Sequence, residues 1–429
     1  MIRQSLISLR PLGQDGRMID QPLLQLDQLL LTQPEQTVPF RIAGQAGARS
    51  VPPQGAAMHA LSLDFAIGQF HLLAGEDVRP LARLLRVIAG YEPMRQGRLL
   101  MRGQPLAGIP LGARGIASLT GDPRLFPQLT IGRNILFPLS GDRRIGDTAT
   151  AVAGAALRVG LSAAALDRYP DEVSQATQLR AALARALALG PSLLLLTDPL
   201  RDLPAGEAAG LLQDLRRLQR ELSLTVICAS DRLPYWAPVA DRVVLLETAG
   251  GTLGGIIQGG SAEEIYLRPE SRMAARLSGA VNLLPVEILG REGDALSCRS
   301  PLVDPPHFSL PQRQVAASLW QQSTALPEAA EAAGEAVRPQ ASLLLRPSLL
   351  RPGLGIRRQD FRIEGRIQDR FSDGATVVLQ VMVPGFGAPV IATMPAPAPF
   401  PLEPGMAVSL GWNRGDMRLL PDSPPPERR

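Results

Sequence analysis

No lysine occurs anywhere in the 429-residue chain, so the 44 Lys and Arg positions are all arginine. A mechanism that needs a flexible ammonium, to form a Schiff base or to grip a phosphate, cannot draw one from this chain. Cysteine is almost as scarce. Cys228 and Cys298 lie far apart with no C-x-x-C pair, which supports neither a disulfide framework nor a zinc knuckle. His59, His71 and His307 show no ligand spacing, which argues against a metal centre. Aromatics make up 4% of the residues, thin for a protein that stacks bases. No apolar run reaches the ~18–20 residues of a membrane span, and the opening MIRQSLISLR lacks the apolar stretch of a signal peptide. These absences predict a soluble, cytoplasmic chain with no transmembrane segment of its own.

What is present suffices for a large core. Hydrophobic residues make up 45% and charged residues 20%, and the length suits two or three domains. The formal charge of +4 and an isoelectric point near 9.6 suit an anionic membrane face or nucleic acid without pointing to either.

The most informative stretch is Phe70 to Pro93, FHLLAGEDVRPLARLLRVIAGYEP. It reads as a short apolar strand, a turn opened by Gly75 and a helix running to about Ala89. Strand, loop and helix N-terminus is the layout of a phosphate-binding P-loop, G-x-x-x-x-G-K-[ST]. After Gly75, however, the required positions hold Pro80, Leu81 and Ala82. Around this stretch, strands are expected at 60–65, 97–102, 115–119, 193–196, 224–229 and 242–246. Helices are expected at 148–159, 163–168, 171–189 and 206–222, and 24–31 suits either a strand or a short helix. Strands alternating with helices predict a parallel α/β sheet. Past Gly250 one or two short helices (261–276) give way to short strands divided by Pro and Gly, which predicts a small β barrel or sandwich. The Ala/Glu-rich 321–340 reads as a loose insertion, and PDSPPPERR (421–429) as a disordered tail.

The order of these pieces resembles the ATP-binding subunit of an ABC transporter, of the polyamine, ferric iron and molybdate importer kind with a C-terminal TOBE domain. Several segments carry the resemblance: LLRVIAG (84–90), LFPQLTIGRN (125–134), the helix of 169–187, the strand of 193–200, GSAEEIYLRP (260–269) and VNLLP (281–285). It implies an α/β P-loop NTPase-like core with a helical subdomain, followed by a small all-β TOBE/OB-like domain. The implied boundaries are an N-terminal strand and variable loop over 1–55, the ATPase-like domain over 56–250 with its helical subdomain about 122–188, a helical linker over 251–280, the TOBE-like domain over 281–421 and a tail over 422–429.

The family's nucleotide motifs then fail one after another. The P-loop lysine falls on Leu81 and the magnesium-binding hydroxyl on Ala82, and Pro80 removes a backbone N–H from the phosphate cradle. The glutamine that senses the γ-phosphate falls on Gly121. The signature L-S-G-G-Q reads Val173, Ser174, Gln175, Ala176, Thr177, with both glycines lost. The Walker B aspartate is Thr197, the catalytic glutamate is Asp198, and the switch histidine is Ser230, followed by a retained Asp231. No aromatic stands where the family stacks adenine.

The resemblance therefore implies a pseudo-ATPase that binds an ABC permease or partner subunit, pairing with itself or with a homologue. Leu125, Phe126 and Pro127 keep the pattern of the surface that receives the permease. No catalytic residue, no metal and no cofactor are expected; Asp198, Ser230 and Gly121 stand at the degenerate catalytic positions. Two alternatives stay open. One is a working ATP-dependent importer subunit with unorthodox motifs that binds Mg·ATP. In it Gly75, Arg79 and Arg83 are the anion candidates. The other is an arginine-rich binder of nucleic acid or anionic lipid, resting on Arg346, Arg351, Arg357, Arg358, Arg362, Arg366 and Arg370. Asp360, Glu364 and Asp369 offset those charges, so surface charge is the simpler account and no nucleic acid is expected.

Overall fold

The structure, a computed structural model, describes residues 22–31, 60–139, 148–248, 251–323, 340–353, 359–398 and 401–422. Two compact units divide the chain at residues 262 and 263.

The first unit holds two sheets. Strands β1 (Leu24–Leu31), β2 (Leu61–Phe65), β4 (Met94–Met101) and β5 (Gln104–Pro105) form an antiparallel sheet in the order β2-β1-β4-β5. The stretch left open as strand or helix is thus a strand, with a register shift around Gln28. The second sheet runs β10-β9-β3-β8-β7-β6. Its members are β3 (Phe70–Ala74), β6 (Ile116–Thr120), β7 (Leu193–Thr197), β8 (Thr225–Ser230), β9 (Arg242–Leu246) and β10 (Ile256–Gly260). All neighbours are parallel except β10, which caps the edge antiparallel to β9. Every residue of β3 and β8 is buried, which is why these strands read as mainly apolar rather than alternating, with His71, Thr225 and Ser230 as buried polar exceptions.

Among the described residues this unit has the helices α1 (Val78–Ala89), α2 (Ile131–Leu136), α3 (Thr148–Arg158), α4 (Gln175–Leu187), α5 (Ala205–Glu221) and α6 (Leu233–Trp236). Helix α1 buries Leu81, Leu84, Leu85 and Ile88 in one core with Leu195, Ile227 and Val244 of the parallel sheet. It ends at Gly90, whose φ of +91° lets its N–H reach the Arg86 and Val87 carbonyls. The helix expected over 163–168 is only a 3-10 turn, Ala163–Ala165. Helix α4 starts at Gln175 rather than Asp171, because Ser174 accepts from the Thr177 N–H and closes the first turn.

Residues 251–280, read as a helical linker, begin with strand β10 before α7 (Ala262–Leu267) and α8 (Arg272–Leu277). The second unit is otherwise β structure with one short helix, α9 (Ala317–Ser323). One five-stranded sheet runs β13-β12-β11-β14-β20, from β11 (Asn282–Glu292), β12 (Ala295–Arg299), β13 (His307–Pro311), β14 (Gln340–Leu345) and β20 (Arg418–Pro421). The other runs β15-β19-β16-β17-β18, from β15 (Arg351–Gly353), β16 (Phe361–Ser372), β17 (Thr376–Met382), β18 (Val390–Pro395) and β19 (Ala407–Trp412). All pairings are antiparallel. Alternate residues such as Leu284, Val286 and Ile288, or Val377, Leu379 and Val381, enter one shared core. Most of the expected insertion (324–339) and of the expected tail (423–429) lies outside the described residues.

Candidate functional site

The register of the parallel strands brings four of the singled-out residues to one edge. Ala74 pairs with Ser230, and Thr197 pairs with both Ala229 and Thr120. Gly75, Asp198, Ser230 and Gly121 therefore stand at the carboxyl ends of β3, β7, β8 and β6. That edge is where parallel α/β sheets hold ligands.

The turn after β3 is filled from within. A Cβ on Gly75 would lie 2.7 Å from Thr248 Cγ2 and 2.9 Å from the Leu246 carbonyl oxygen, so the glycine marks a close approach. The Asp77 N–H donates to Thr248 Oγ1 at 2.9 Å. Helix α1 begins at Val78, two residues before the second glycine position of a P-loop, so Arg79 and Pro80 are helical rather than part of a cradle. The Asp77 carboxylate takes the helix N-terminus, accepting from the Arg79 N–H at 2.9 Å and from the Arg79 guanidinium at 2.7–3.0 Å. The same guanidinium holds the Asp77 carboxyl below the usual carboxylate range. Arg83 is bound to Glu92 at 2.9 Å. Both expected anion-binding arginines thus carry a carboxylate of the chain itself. Leu81 is fully buried, Pro80 is buried beside it, and Ala82 is half-buried.

Asp198 is 4% exposed and adopts a φ of +36°, a backbone state that side-chain-bearing residues rarely occupy. Its Oδ1 accepts from Ser230 Oγ (3.2 Å), Arg232 Nη2 (3.1 Å) and Trp236 Nε1 (3.4 Å). Its Oδ2 sits 2.9 Å from Arg201 Nη2. Arg201 also grips Asp231 at 2.7 Å, and that bond raises the Arg201 pKa above its ordinary value. Asp198 and Asp231 are thus bridged by one guanidinium. Gly121 packs beside this turn, with the Asp198 carbonyl 3.4 Å from where its Cβ would stand.

Residues 58–201 match the profile of the ABC transporter family, and residues 343–420 that of the TOBE domain. A ferric-ion import ATP-binding protein of Rhizobium etli is 30% identical over 259 residues, covering 60% of this chain and 71% of that one. The chain belongs to the ATP-binding subunits of ABC importers. Another ferric-ion import ATP-binding protein, from Mesorhizobium japonicum, is 35% identical over 240 residues, 55% of this chain and 64% of its own. A spermidine/putrescine import ATP-binding protein of Roseobacter denitrificans is 30% identical over 242 residues, 56% and 65%. This chain spans just under two thirds of the last two relatives' length.

ABC subunits normally work with Mg·ATP, and the residues at this edge do not fit it. The lysine position is a core leucine, the hydroxyl position is Ala82, and the Walker B carboxylate position is Thr197. The carboxylate at Asp198 is engaged by three hydrogen-bond donors and an ion pair with Arg201, and Asp77 presents negative charge where a phosphate would need the helix N-terminus. Among the described residues no group of three or more His, Cys, Asp or Glu is placed to hold a metal ion. At the signature, Ser174 caps α4, with its Oγ 3.1 Å from Thr177 Oγ1. Gln175 is half-buried and Ala176 buried. These four residues sit at a helix start, on a different element from the sheet edge.

The 121–139 segment is held by polar side chains to which the sequence assigned no such role. Buried Asn134 accepts from the Phe126 N–H at 2.7 Å and donates to the Phe126, Leu129 and Thr130 carbonyls. Arg185 of α4 donates to the Pro123 and Arg124 carbonyls, its guanidinium 5.6 Å from the Phe126 ring centre. Burial pushes its pKa down. Phe126 packs on Phe137 at 4.6 Å, Leu125 is half-buried and Pro127 exposed. Beside the segment lies a cleft of about 360 Å³ between α1, β6 and α4, lined by Tyr91, Asp122 and Arg124 among others. Asp77 has a sequence signal, an acidic residue just before a helix. Thr248, Arg232 and Trp236 act across long sequence separations and have none, and Arg185 carries one only through its place in the 169–187 helix.

The arginine-rich stretch of the second unit does not all face outward. Arg346 is 3% exposed and inward-facing. Arg362 pairs with Asp304 and Glu364, Arg366 donates to the Gly405 carbonyl, and Arg357 and Arg358 lie outside the described residues.

Proposed function

We propose that this chain is a pseudo-ATPase subunit of a solute import system, acting by holding a membrane permease rather than by turning over ATP. The single observation that carries this reading is the Asp77 carboxylate seated on the N-terminus of α1 and locked there by Arg79. A phosphate would meet like charge at the helix N-terminus that follows the P-loop-like turn. The replacements at Leu81, Ala82, Thr197 and Gln175 support the same reading, because each removes a contact that family members aim at nucleotide or metal. Pairing with itself or with an intact homologue leaves the reading unchanged. In the family each ATP lies between the P-loop of one subunit and the signature of the other, and this chain has lost both.

The permease reading rests on the family and on the braced 121–139 segment, where Leu125, Phe126 and Pro127 directly follow the residues Asp122, Pro123 and Arg124 that line a cleft beside α1 and α4. No helix among the described residues is long and apolar enough to cross a membrane, so the proposed place of action is the cytoplasmic face, peripheral to the permease. Titration calorimetry with ATP, with and without Mg²⁺, is expected to show no saturable heat. Tight metal-dependent binding would replace this reading with that of a working ATPase subunit. Co-purification with the permease of a neighbouring gene is expected to survive in the wild type and to fail in Phe126→Asp; a chain that never associates with that permease contradicts the docking half.

A further inference from the structure

We propose, resting on the docking reading above, that Arg185 and Asn134 are positioning residues for the partner surface. Together they build the irregular 122–130 segment into its docking shape before any partner arrives.

This segment lies between the end of β6 and the start of α2 and belongs to neither helix nor strand. Its backbone groups therefore have no ladder of their own to bond to. Two side chains take that place. Asn134 is 0% exposed and meets Phe126 as a residue on a neighbouring strand would. Its Oδ1 accepts from the Phe126 N–H (2.7 Å) and its Nδ2 donates to the Phe126 carbonyl (3.1 Å). The same Nδ2 reaches the Leu129 and Thr130 carbonyls at 3.0 and 3.1 Å. Arg185 holds the other end. Its Nη2 donates to the Pro123 (3.0 Å) and Arg124 (2.9 Å) carbonyls, and its Nη1 lies 3.4 Å from Asn134 Oδ1, which links the two clamps.

The clamp does more than fill space. Arg124 adopts a φ of +45°, a state that a residue with a side chain keeps only where its surroundings hold it. Here its N–H is bonded to Asp122 Oδ1 at 3.0 Å and its carbonyl to Arg185. Helices α2 and α4 pack on each other and bury Ile131, Ile135, Leu179 and Leu183, so their contact has an apolar basis of its own. The named acceptors of Arg185 are two carbonyls and a carboxamide, all in or beside the segment. What the pair fixes is the backbone that carries Leu125, Phe126 and Pro127. The Phe126 ring is held as well, 4.6 Å from exposed Phe137 and 5.6 Å from the Arg185 guanidinium. A surface ordered in advance leaves little ordering for a partner to impose.

The test compares the wild type with Arg185→Met and Arg185→Lys, all as full chains. Methionine keeps the apolar stem and removes every donor; lysine keeps the charge but not the planar fork that serves three acceptors. Hydrogen exchange at the Phe126 and Leu129 amides is expected to speed up by about tenfold or more in both variants, with α4, β7 and β8 at the wild-type level. Capture of the detergent-solubilised permease of the neighbouring gene should weaken by about tenfold through slower association, because fewer chains hold the docking shape. Wild-type exchange over 123–130 in Arg185→Met overturns the proposal. So does a loosened segment that captures the permease as fast as the wild type. A wild type that captures no permease overturns the docking reading and this proposal with it, an outcome distinct from the other two.

Discussion

His71 sits in the middle of a strand buried on both faces, with its ring edge-on to Phe65 at 5.1 Å. Its Nε2 lies 3.2 Å from the Ala66 carbonyl and so carries the proton, while Nδ1 is buried without a partner. Burial lowers its pKa from 6.5 to about 4; the bond to Ala66 and the charge of Asp241 work the other way, and Arg242 works with burial. The sign follows from proton counts. Between pH 6.5 and about 4 the unfolded chain binds a proton here that the folded chain refuses, so stability falls as pH drops through that window. The full loss is about 3 kcal/mol. Urea unfolding followed from pH 7 to pH 4 should show this slope, and His71→Leu should flatten it; an unchanged slope in the variant means another group titrates. Asp198 behaves differently at the same scale. It stands at the position of the family's catalytic glutamate in the sequence, and three hydrogen-bond donors, an ion pair with Arg201 and a left-handed backbone fix it as the knot of a turn.

Helix α1 shows how an element can be read from its own periodicity even where the motif before it is atypical. Its apolar positions recur at helical spacing, and that spacing made both the helix and its buried face legible. The start of the helix was less so. The motif register reads 76–79 as loop, whereas the Asp77 cap pulls the helix start back to Val78. Restoring the family's lysine alone is therefore expected to fail. Leu81 is fully buried against the sheet, so Leu81→Lys would bury an ammonium with no partner and cost about 3 kcal/mol or more. Chemical denaturation should show that loss, and calorimetry should show no gain in ATP binding; tight binding by this variant would mean that the turn at Asp77 rearranges readily. Helices α4 and α5 and the buried strands β7, β8 and β9 were legible for the same periodic reasons. Strands β12, β13 and β18 were not. They are short and carry polar residues such as Ser297, His307 and Thr393, and only pairing with neighbours makes them strands.

At the scale of the whole molecule, alternation of strand and helix giving way to Pro-divided strands announced an α/β unit followed by a β unit. The two compact units divide at residues 262 and 263, inside the stretch read as a linker, after β10 has completed the first unit's sheet. Each unit has its own core, so damage to one should be readable separately. Arg346 provides the test. Read in sequence it is one arginine of a basic run; in the fold its guanidinium donates to the Tyr266, Ala275, Gly279 and Ala280 carbonyls and to Ser278 Oγ, and it stacks 4.0 Å over Tyr266. It thereby satisfies the carbonyl end of α8 and ties α7 and α8 to the start of the β unit. Arg346→Met keeps the stem but leaves those acceptors unmatched, at a cost of about 3 kcal/mol. Hydrogen exchange should then speed up in β11, β14 and β16 while protection in β3, β7 and β8 stays at the wild-type level. Equal loss of protection in both sets would mean that the two cores melt as one.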